Sequence, residues 1–292
     1  MSKLFTGAGV ALITPFTKND KVDFNALETV VNNQVKGGMD YLVALGTTAE
    51  AHVLGEEEKS EIVKLIKEKS SGLPVVIGMG SNDTGKMLKT MDKFDFGGVS
   101  GILAVTPYYN KPSQEGMFQH FTAIAKASPV PVILYNVPSR TGVNIDAETV
   151  SRLAWENENI TAIKDASGNL SQVTKTVKDA PKHFSVISGD DFMTLPIISI
   201  GGQGVISVVA NALSEKLSSL TSLALKGEFA ESLKLHNELF DLIGLLFKEG
   251  SPGGIKALLH CMGIIENKLR LPLCQISGST YNEIKEAYLK LK

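Results

Sequence analysis

The sequence predicts an α/β fold, a (β/α)8 TIM barrel with a C-terminal helical extension. Eight short apolar runs recur through the first two thirds of the 292 residues, and stretches of helical period separate them. After about Leu213 the pattern becomes all helical. Alternating strands and helices build parallel βαβ units, and eight such units over about 225 residues approach the size of a TIM barrel. A barrel therefore accounts for the pattern.

The predicted strands are continuous apolar runs rich in β-branched residues. Runs without polar alternation are typical of strands that are buried on both faces, as in a parallel sheet. An open doubly wound sheet is the structural alternative, although no glycine-rich dinucleotide fingerprint follows the first run. The eight runs span residues 10–13, 41–45, 75–79, 102–105, 132–135, 160–163, 184–187 and 204–209.

Helix signals between these runs agree with the alternation. Asp23 is the predicted N-cap of the first helix, and Asp146 opens a later helix in the same way. Another helix begins at Glu56, where consecutive acidic residues suit the positive end of the helix dipole.

The C-terminal part is predicted to contain only helices. Thr280 and Glu283 have the spacing of a capping box ahead of the last helix. Two further helices are predicted at 214–226 and 228–248, separated at Gly227. Another helix is predicted to begin at Pro252. We therefore divide the chain into a catalytic barrel, residues 1–225, and a helical domain, residues 226–292.

The composition predicts a globular protein that acts on small molecules. A net charge of −2 argues against nucleic-acid binding, and 43% hydrophobic residues suffice for a large core. Cys261 and Cys274 have neither metal-site nor disulfide-framework spacing, which favours a reducing compartment. The start of the chain, with Lys3 as its one basic residue, makes a poor signal peptide. The apolar run at 239–247 contains Asp241 and is too short for a membrane span. We expect a soluble, cytoplasmic protein.

Polar, aromatic and glycine residues follow the predicted strands. In a TIM barrel the chemistry lies at the C-terminal ends of the strands, so these residues are the candidates for a functional site. They occupy segments 46–50, 106–110, 135–142, 164–168 and 188–191, together with the glycine-rich segment 201–204 before the last run.

Lys164 is the most informative residue because it directly continues the apolar run at 160–163. A lysine in a buried strand is costly unless it is paired or deprotonated, and the deprotonated amine is the form that attacks a carbonyl. Position alone leaves two interpretations open: a nucleophile that attacks a carbonyl, or a lysine paired with a neighbour such as Asp165 or Glu50.

Four further positions have both a chemical and a structural interpretation. Tyr135 could shuttle a proton to a carbinolamine, or it could be a packing aromatic at a strand end. The segment 46–50, the threonine turn, offers Thr47 and Thr48 for a carboxylate, or ordinary turn hydrogen bonds. Arg140 suits a second carboxylate or a surface ion pair.

Three segments together resemble the pyruvate-dependent class I aldolase and N-acetylneuraminate lyase superfamily, and within it the dihydrodipicolinate synthase family. They are Gly46-Thr47-Thr48-Ala49-Glu50, Tyr135-Asn136-Val137-Pro138-Ser139-Arg140-Thr141-Gly142 and Lys164-Asp165-Ala166-Ser167-Gly168-Asn169. The resemblance covers nearly the whole chain. It implies a lyase that condenses pyruvate with L-aspartate 4-semialdehyde to give 4-hydroxy-tetrahydrodipicolinate, in lysine and diaminopimelate biosynthesis. It also implies a homo-oligomer, either a tetramer built as a dimer of dimers or at least a dimer, and no metal or organic cofactor.

The resemblance implies a role for each candidate residue. Lys164 would form the Schiff base, and Tyr135 would be the general acid/base. Thr47 would complete a proton relay with Tyr135 and with Tyr109, which would reach into the neighbouring subunit's site. The implied substrate-binding residues are Thr48 for the pyruvate carboxylate, Arg140 for the carboxylate of the aldehyde, and Gly189 and Ile206 for backbone carbonyls that line the pocket.

Two departures from the family pattern stand out. Ala49 replaces a glycine after the two threonines, and we expect a turn geometry that is compatible with alanine. In the family's lysine feedback site, Lys86 replaces an acidic residue that would pair with the inhibitor's amine, and Glu56 is also atypical. Repulsion at Lys86 predicts weak or absent inhibition by lysine. The matching positions are Ala51, His52, Glu56, Lys59, Gly80, Asn82, Lys86 and Tyr108.

Two other functions are alternatives. N-acetylneuraminate lyases and 2-keto-3-deoxy sugar acid aldolases share the lysine and the tyrosine acid. They usually differ at the position of Thr48 and lack an arginine at that of Arg140. A barrel that binds a 2-oxo acid without turnover, as a sensor or scaffold, would not need the nucleophile, acid and relay that this sequence contains.

Overall fold

Eight parallel strands form a closed barrel in the computed structural model, which describes residues 5–291. Neighbouring strands pair in chain order, and the first pairs with the last. The strands are β1 Gly7–Ala11, β2 Tyr41–Ala44, β3 Val75–Met79, β4 Gly101–Val105, β5 Val132–Asn136, β6 Ile160–Asp165, β7 Ser185–Ser188 and β8 Gly204–Ser207. The predicted (β/α)8 TIM barrel is confirmed. Lys3, which entered the prediction about the start of the chain, lies outside the described residues.

Helices follow the strands and cover the barrel from outside. They are α1 Phe24–Lys36, α2 Glu56–Lys69, α3 Thr84–Lys93, α4 Gln114–Ala127, α5 Pro138–Thr141, α6 Ala147–Glu156, α7 Leu170–Asp179, α8 Thr194–Ser199, α9 Ala210–Leu225, α10 Phe229–Phe247, α11 Gly253–Cys261 and α12 Gly278–Lys290. Of the helices described, none has the length and apolar character needed to cross a membrane.

Side-chain caps explain where several helices begin. Asp23 and Asp146 each accept a hydrogen bond from the backbone N–H three residues on, at 3.0 and 2.8 Å, as predicted. The prediction of a capping box at Thr280 and Glu283 is wrong. The cap is Ser277, whose Oγ accepts from the Thr280 N–H at 3.3 Å, so Thr280 already lies inside α12. Glu283 forms an ion pair with the lysine that follows α10 instead of reaching back to a cap.

The first strand begins three residues before the run at 10–13 and ends two residues before the end of that run. The run stays apolar through Ile13 because the chain remains buried after it leaves the sheet. The N–H of Ile13 donates to Asn211 Oδ1 at 3.1 Å, a side chain of α9, rather than to a neighbouring strand. The apolar run therefore indicates which residues are buried, but its ends do not mark the residues that pair in the sheet.

Alternate residues of the strands form a separate apolar cluster inside the barrel. It includes Val43, Val76, Leu103, Ile133, Ala162, Ile187 and Ile206. Phe5 and Tyr41 lie at the N-terminal end of this cluster, with ring centroids 5.8 Å apart. Because side chains on a strand alternate between faces, Lys164 points to the same interior as Ala162, at the C-terminal end of β6.

The helical extension shares its apolar core with the barrel. Leu239 and Leu246 of α10 and Leu258 of α11 belong to the same buried cluster as Leu27 of α1. Gly227, with φ +81°, separates α9 from α10. We propose that the division at residues 225 and 226 is a boundary between substructures that pack as one body.

Gly204 closes the barrel at a contact that requires glycine. It pairs with Gly7 of β1, has φ +147°, and a Cβ there would lie 1.9 Å from the Gly7 carbonyl oxygen. Gly204→Ala should lower the free energy of unfolding by about 3 kcal/mol or more, measured by urea titration. Gly278→Ala, a control with open space around its Cα, should change it by less than about 0.5 kcal/mol. Equal midpoints for Gly204→Ala and the unmodified protein would contradict this account.

Candidate active site

Lys164 and Tyr135 lie side by side near the C-terminal ends of β6 and β5. The two residues are direct partners in the strand register, and Lys164 Nζ is 4.4 Å from the centre of the Tyr135 ring. Both are nearly enclosed, with 5% and 7% of their surfaces exposed. An amine and a phenol are therefore held together at one position in the barrel.

A β-bulge in β6 produces this pairing. Ile160 pairs with Val132, but the next residue of β5, Ile133, pairs with Ala162, so Thr161 has no partner in the ladder. Strand side chains alternate with a period of two, and an extra residue moves every later side chain to the opposite face. The bulge therefore directs Lys164 into the barrel beside Tyr135.

No carboxylate of residues 5–291 forms an ion pair with Lys164. Asp165 lies next in the strand, where its Oδ1 accepts from the Ser167 N–H at 2.9 Å and its Oδ2 from Asn136 Nδ2 at 3.2 Å. Glu50, the other candidate partner, is paired with Lys256. The paired interpretation of Lys164 therefore fails for both carboxylates that the sequence offered.

Gly189, which follows β7, packs against the Lys164 side chain. A Cβ at Gly189 would lie 3.1 Å from Lys164 Cε and 2.8 Å from Ala166 Cβ, so the glycine leaves room for the lysine side chain. Its N–H donates to the Asp165 carbonyl at 2.7 Å, which fixes the end of β7 against β6. Ile206, in β8, belongs to the interior cluster.

The threonine turn is a further part of the candidate site. Thr47–Ala49 is a short 3-10 helix directly after β2, in which Ala49 N–H donates to the Gly46 carbonyl at 3.1 Å. The residue with left-handed backbone is Glu50, with φ +53°, and not Ala49. The expected compatibility of this turn with alanine is therefore confirmed. Thr48 is buried, whereas Thr47 is exposed.

A cavity of about 1170 Å³ connects these groups with the outside. Its lining includes the buried residues Lys164, Tyr135 and Thr48 together with Thr47, and it continues along exposed residues of α2 and α3, the outer part of the cavity. The outer lining includes most positions that match the family's feedback site, namely Ala51, His52, Glu56, Lys59, Gly80, Lys86 and Tyr108. Asn82 does not belong to this lining.

Arg140 and Tyr109 lie at the rim and do not line this cavity. Arg140 is exposed in α5, and its Nη2 is 3.5 Å from the carbonyl oxygen of Ser251, which precedes α11. Tyr109 is 84% exposed and has a left-handed backbone with φ +75°. Its N–H donates to the Thr141 carbonyl at 3.4 Å. A single chain thus brings together Lys164, Tyr135 and the threonine turn, with Arg140 at the edge and Tyr109 outside.

Lys256 is a residue that the sequence reasoning missed. It has no exposed surface in α11, and its ammonium pairs with Glu50 of the threonine turn. Burial lowers the pKa of Lys256 to about 8, although the Glu50 carboxylate opposes this shift. The sequence feature that could have identified Lys256 is its position as a single charge between Ile255 and Ala257 in an otherwise apolar helical stretch.

Known proteins resemble this chain over nearly its whole length. The model of the dihydrodipicolinate synthetase family matches residues 4–291. The 4-hydroxy-tetrahydrodipicolinate synthase of Phocaeicola vulgatus is 50% identical over 287 residues, which cover 98% of this chain and 97% of that protein. The crystal structure of dihydrodipicolinate synthase from Thermotoga maritima has a TM-score of 0.96 at 38% identity and covers 99% of both chains.

A second solved structure, of a monomeric dihydrodipicolinate synthase variant, also has a TM-score of 0.96 at 38% identity. It covers 99% of this chain and 97% of that chain. Sequence and architecture therefore agree along the barrel and its helical extension, and this chain belongs to the dihydrodipicolinate synthetase family.

Proposed function

We propose that this protein is a lyase that condenses pyruvate with L-aspartate 4-semialdehyde to give 4-hydroxy-tetrahydrodipicolinate, on the route to diaminopimelate and lysine. The observation that carries the proposal is Lys164, a buried amine inside the barrel that touches Tyr135 and has no carboxylate partner among residues 5–291. A family whose members are named for this synthase activity supplies the substrates.

Lys164 supplies the nucleophile. Its Nζ attacks the keto carbon of pyruvate to form a carbinolamine, and loss of water from the carbinolamine gives the imine. Tyr135, whose ring centre is 4.4 Å from Nζ, gives and takes the protons of these steps. The imine withdraws electrons from the methyl group, which loses a proton and becomes an enamine.

The enamine forms the new carbon–carbon bond by attacking the aldehyde of the second substrate. The amine of that substrate then displaces Lys164 by transimination, which closes the ring and frees the lysine. These steps require acid–base groups and neither a metal nor an organic cofactor. Thr47 links Tyr135 to the Tyr109 hydroxyl of a neighbouring subunit, so that protons can leave the site.

The substrate carboxylates have separate partners in this proposal. Thr48 binds the carboxylate of pyruvate, and its support is a buried position in the lining that also contains Lys164. Arg140 binds the carboxylate of the aldehyde from the rim, where its guanidinium contacts a carbonyl and forms no ion pair within the described chain. Backbone carbonyls of Gly189 and Ile206 complete the pocket.

We also propose that the protein is a cytoplasmic homotetramer, built as a dimer of dimers. The support is Tyr109, which combines an exposed aromatic ring with a left-handed backbone. Such a conformation costs about 1–3 kcal/mol in a non-glycine residue and persists only when its surroundings hold it, as a partner subunit would. Sedimentation that gave a fully active monomer would remove the proposal, and the monomeric variant among the structural relatives makes this test necessary.

Borohydride reduction in the presence of pyruvate should leave a pyruvate-derived mass on Lys164, because the reductant converts the imine into a stable amine. Mass spectrometry of the intact protein and of its peptides measures the adduct. Lys164→Ala should give no adduct and should lose condensation activity by several orders of magnitude. Lys126→Ala, a control at an exposed position of α4, should retain both. An adduct on a different lysine would refute the assignment.

Tyr135→Phe removes one hydroxyl and leaves the ring in place, so the fold should be retained. Turnover should fall by about 10²–10⁴-fold, the usual contribution of a general acid–base group. A coupled assay with both substrates measures turnover, and a thermal melt checks the fold. Tyr108→Phe, which alters a tyrosine in the outer part of the cavity, should change turnover far less. Unchanged turnover in Tyr135→Phe would mean that another group transfers the proton.

Lysine should inhibit this enzyme weakly or not at all, because an inhibitor's ammonium would meet the like charge of Lys86 in the outer cavity. Inhibition is measured by titrating lysine into the condensation assay. Lys86→Glu should increase sensitivity to lysine, whereas Lys126→Glu, the same change in net charge at an exposed position of α4 that does not line the cavity, should not. Strong inhibition of the unmodified enzyme at low lysine concentration would show that this interpretation of Lys86 is wrong.

A further inference from the structure

We infer that the buried ion pair between Glu50 and Lys256 is a positioning device for the pyruvate carboxylate. It fixes the threonine turn from the helical extension and thereby sets the affinity for pyruvate. The inference rests on the proposed function, because it assigns both residues to the support of the same site. It makes Glu50 and Lys256 positioning residues, since neither lies among the groups that would touch the substrate.

The threonine turn has few hydrogen bonds of its own to hold its geometry. Two hydrogen bonds form within it, from Ala49 N–H to the Gly46 carbonyl and from Glu50 N–H to the Thr47 carbonyl, both at 3.1 Å. Glu50 adopts a left-handed backbone, which costs a non-glycine residue about 1–2 kcal/mol. The position of Thr48, two residues earlier, therefore depends on whatever holds Glu50 in this conformation.

The helical extension holds both oxygens of the Glu50 carboxylate. Oε1 accepts from the Lys256 ammonium, and Oε2 accepts from the Arg270 N–H at 3.0 Å. Glu50 and Lys256 have no exposed surface. A buried carboxylate that loses its partner leaves an uncompensated charge, at a cost of about 3–5 kcal/mol. The threonine turn is thus tied to the helical extension by a buried interaction that has no contact with solvent.

Lys256 is itself fixed from two further directions. Its Nζ donates to the Lys268 carbonyl at 2.9 Å and lies 4.2 Å from the centre of the Phe16 ring. The Arg270 guanidinium packs on the same ring at 4.5 Å. Arg270 also donates to the Val53 carbonyl at 3.0 Å, just beyond the threonine turn. The extension therefore holds the chain on both sides of Ala51, a residue that lines the cavity.

Stability alone is a weak reason for such a pair. The desolvation of two buried charges roughly cancels their attraction, and apolar replacements of similar volume are often neutral or stabilising. What an ion pair provides and an apolar contact does not is a fixed direction and distance. A geometric role and a purely structural role therefore make different predictions for a variant that is stable but lacks both charges.

The experiment compares three variants with the unmodified enzyme. Glu50→Asp keeps the charge but shortens the reach by one methylene. Lys256→Met removes the ammonium and keeps the stem. The double variant Glu50→Gln with Lys256→Met removes both charges and conserves volume. Lys248→Met with Glu283→Gln removes an exposed ion pair of the same extension and is the matched control. The measurements are the thermal midpoint, KM for each substrate, and borohydride trapping on Lys164 at saturating pyruvate.

We expect the double variant to melt near the unmodified enzyme, yet to show a KM for pyruvate raised at least about tenfold. Its KM for the aldehyde and its trapping at saturating pyruvate should stay within about twofold of the unmodified enzyme. Glu50→Asp should raise the same KM, and the control should not. A stable double variant, or a stable Glu50→Asp, with an unchanged KM for pyruvate would overturn the inference. Lys256→Met measures the loss of stability that results from leaving the Glu50 carboxylate unpaired. If Lys256→Met does not fold, the double variant and Glu50→Asp still test the inference. Absence of trapping in the unmodified enzyme would instead refute the proposed function.

Discussion

Closure of a parallel eight-strand barrel is the constraint on which the site depends. Because all strands run in one direction and the first pairs with the last, their C-terminal ends meet at one rim. The threonine turn after β2, Tyr135 at the end of β5 and Lys164 at the end of β6 come from distant parts of the chain. Closure brings them to one cavity, and the contact between Gly7 and Gly204 allows the ring to close.

The two buried lysines, Lys256 and Lys164, have very different surroundings in the same fold. Lys256 is compensated by a carboxylate, a carbonyl and an aromatic ring, so its ammonium has a complete set of partners. Lys164 contacts the face of an aromatic ring and opens onto a cavity, with no carboxylate partner in the part of the chain that is described. The surroundings of Lys256 suit a structural role, whereas those of Lys164 leave its amine available to a ligand.

Features that depend on neighbouring residues in the chain could be predicted from the sequence more completely than features that depend on contacts between distant residues. Continuous apolar runs predicted all eight strands, and the position of Lys164 after such a run identified the candidate nucleophile. The offset of β1 arose because Leu12 and Ile13 are buried without continuing as strand. Ser277 and Thr280 are both residue types that cap helices, and the three-residue spacing from Thr280 to Glu283 favoured the wrong one.

Other features depend on contacts across the fold. Glu50 and Lys256 are 206 residues apart, so neither identifies the other in the sequence. The bulge at Thr161 decides the face on which Lys164 lies, yet it has no glycine or proline to mark it. The threonine turn and Arg140 could be located after their strands, but their distances from Lys164 required the closed barrel. The role that we propose for Tyr109 depends on a second copy of the chain.

The contact between α11 and the threonine turn also has a consequence for protein synthesis. A ribosome completes all eight strands before it adds Lys256 and Arg270, because both residues follow β8 in the chain. Until then the Glu50 carboxylate lacks the donors that hold it. The threonine turn consequently receives these two hydrogen bonds only at the end of translation, after the strands of the barrel have been synthesised.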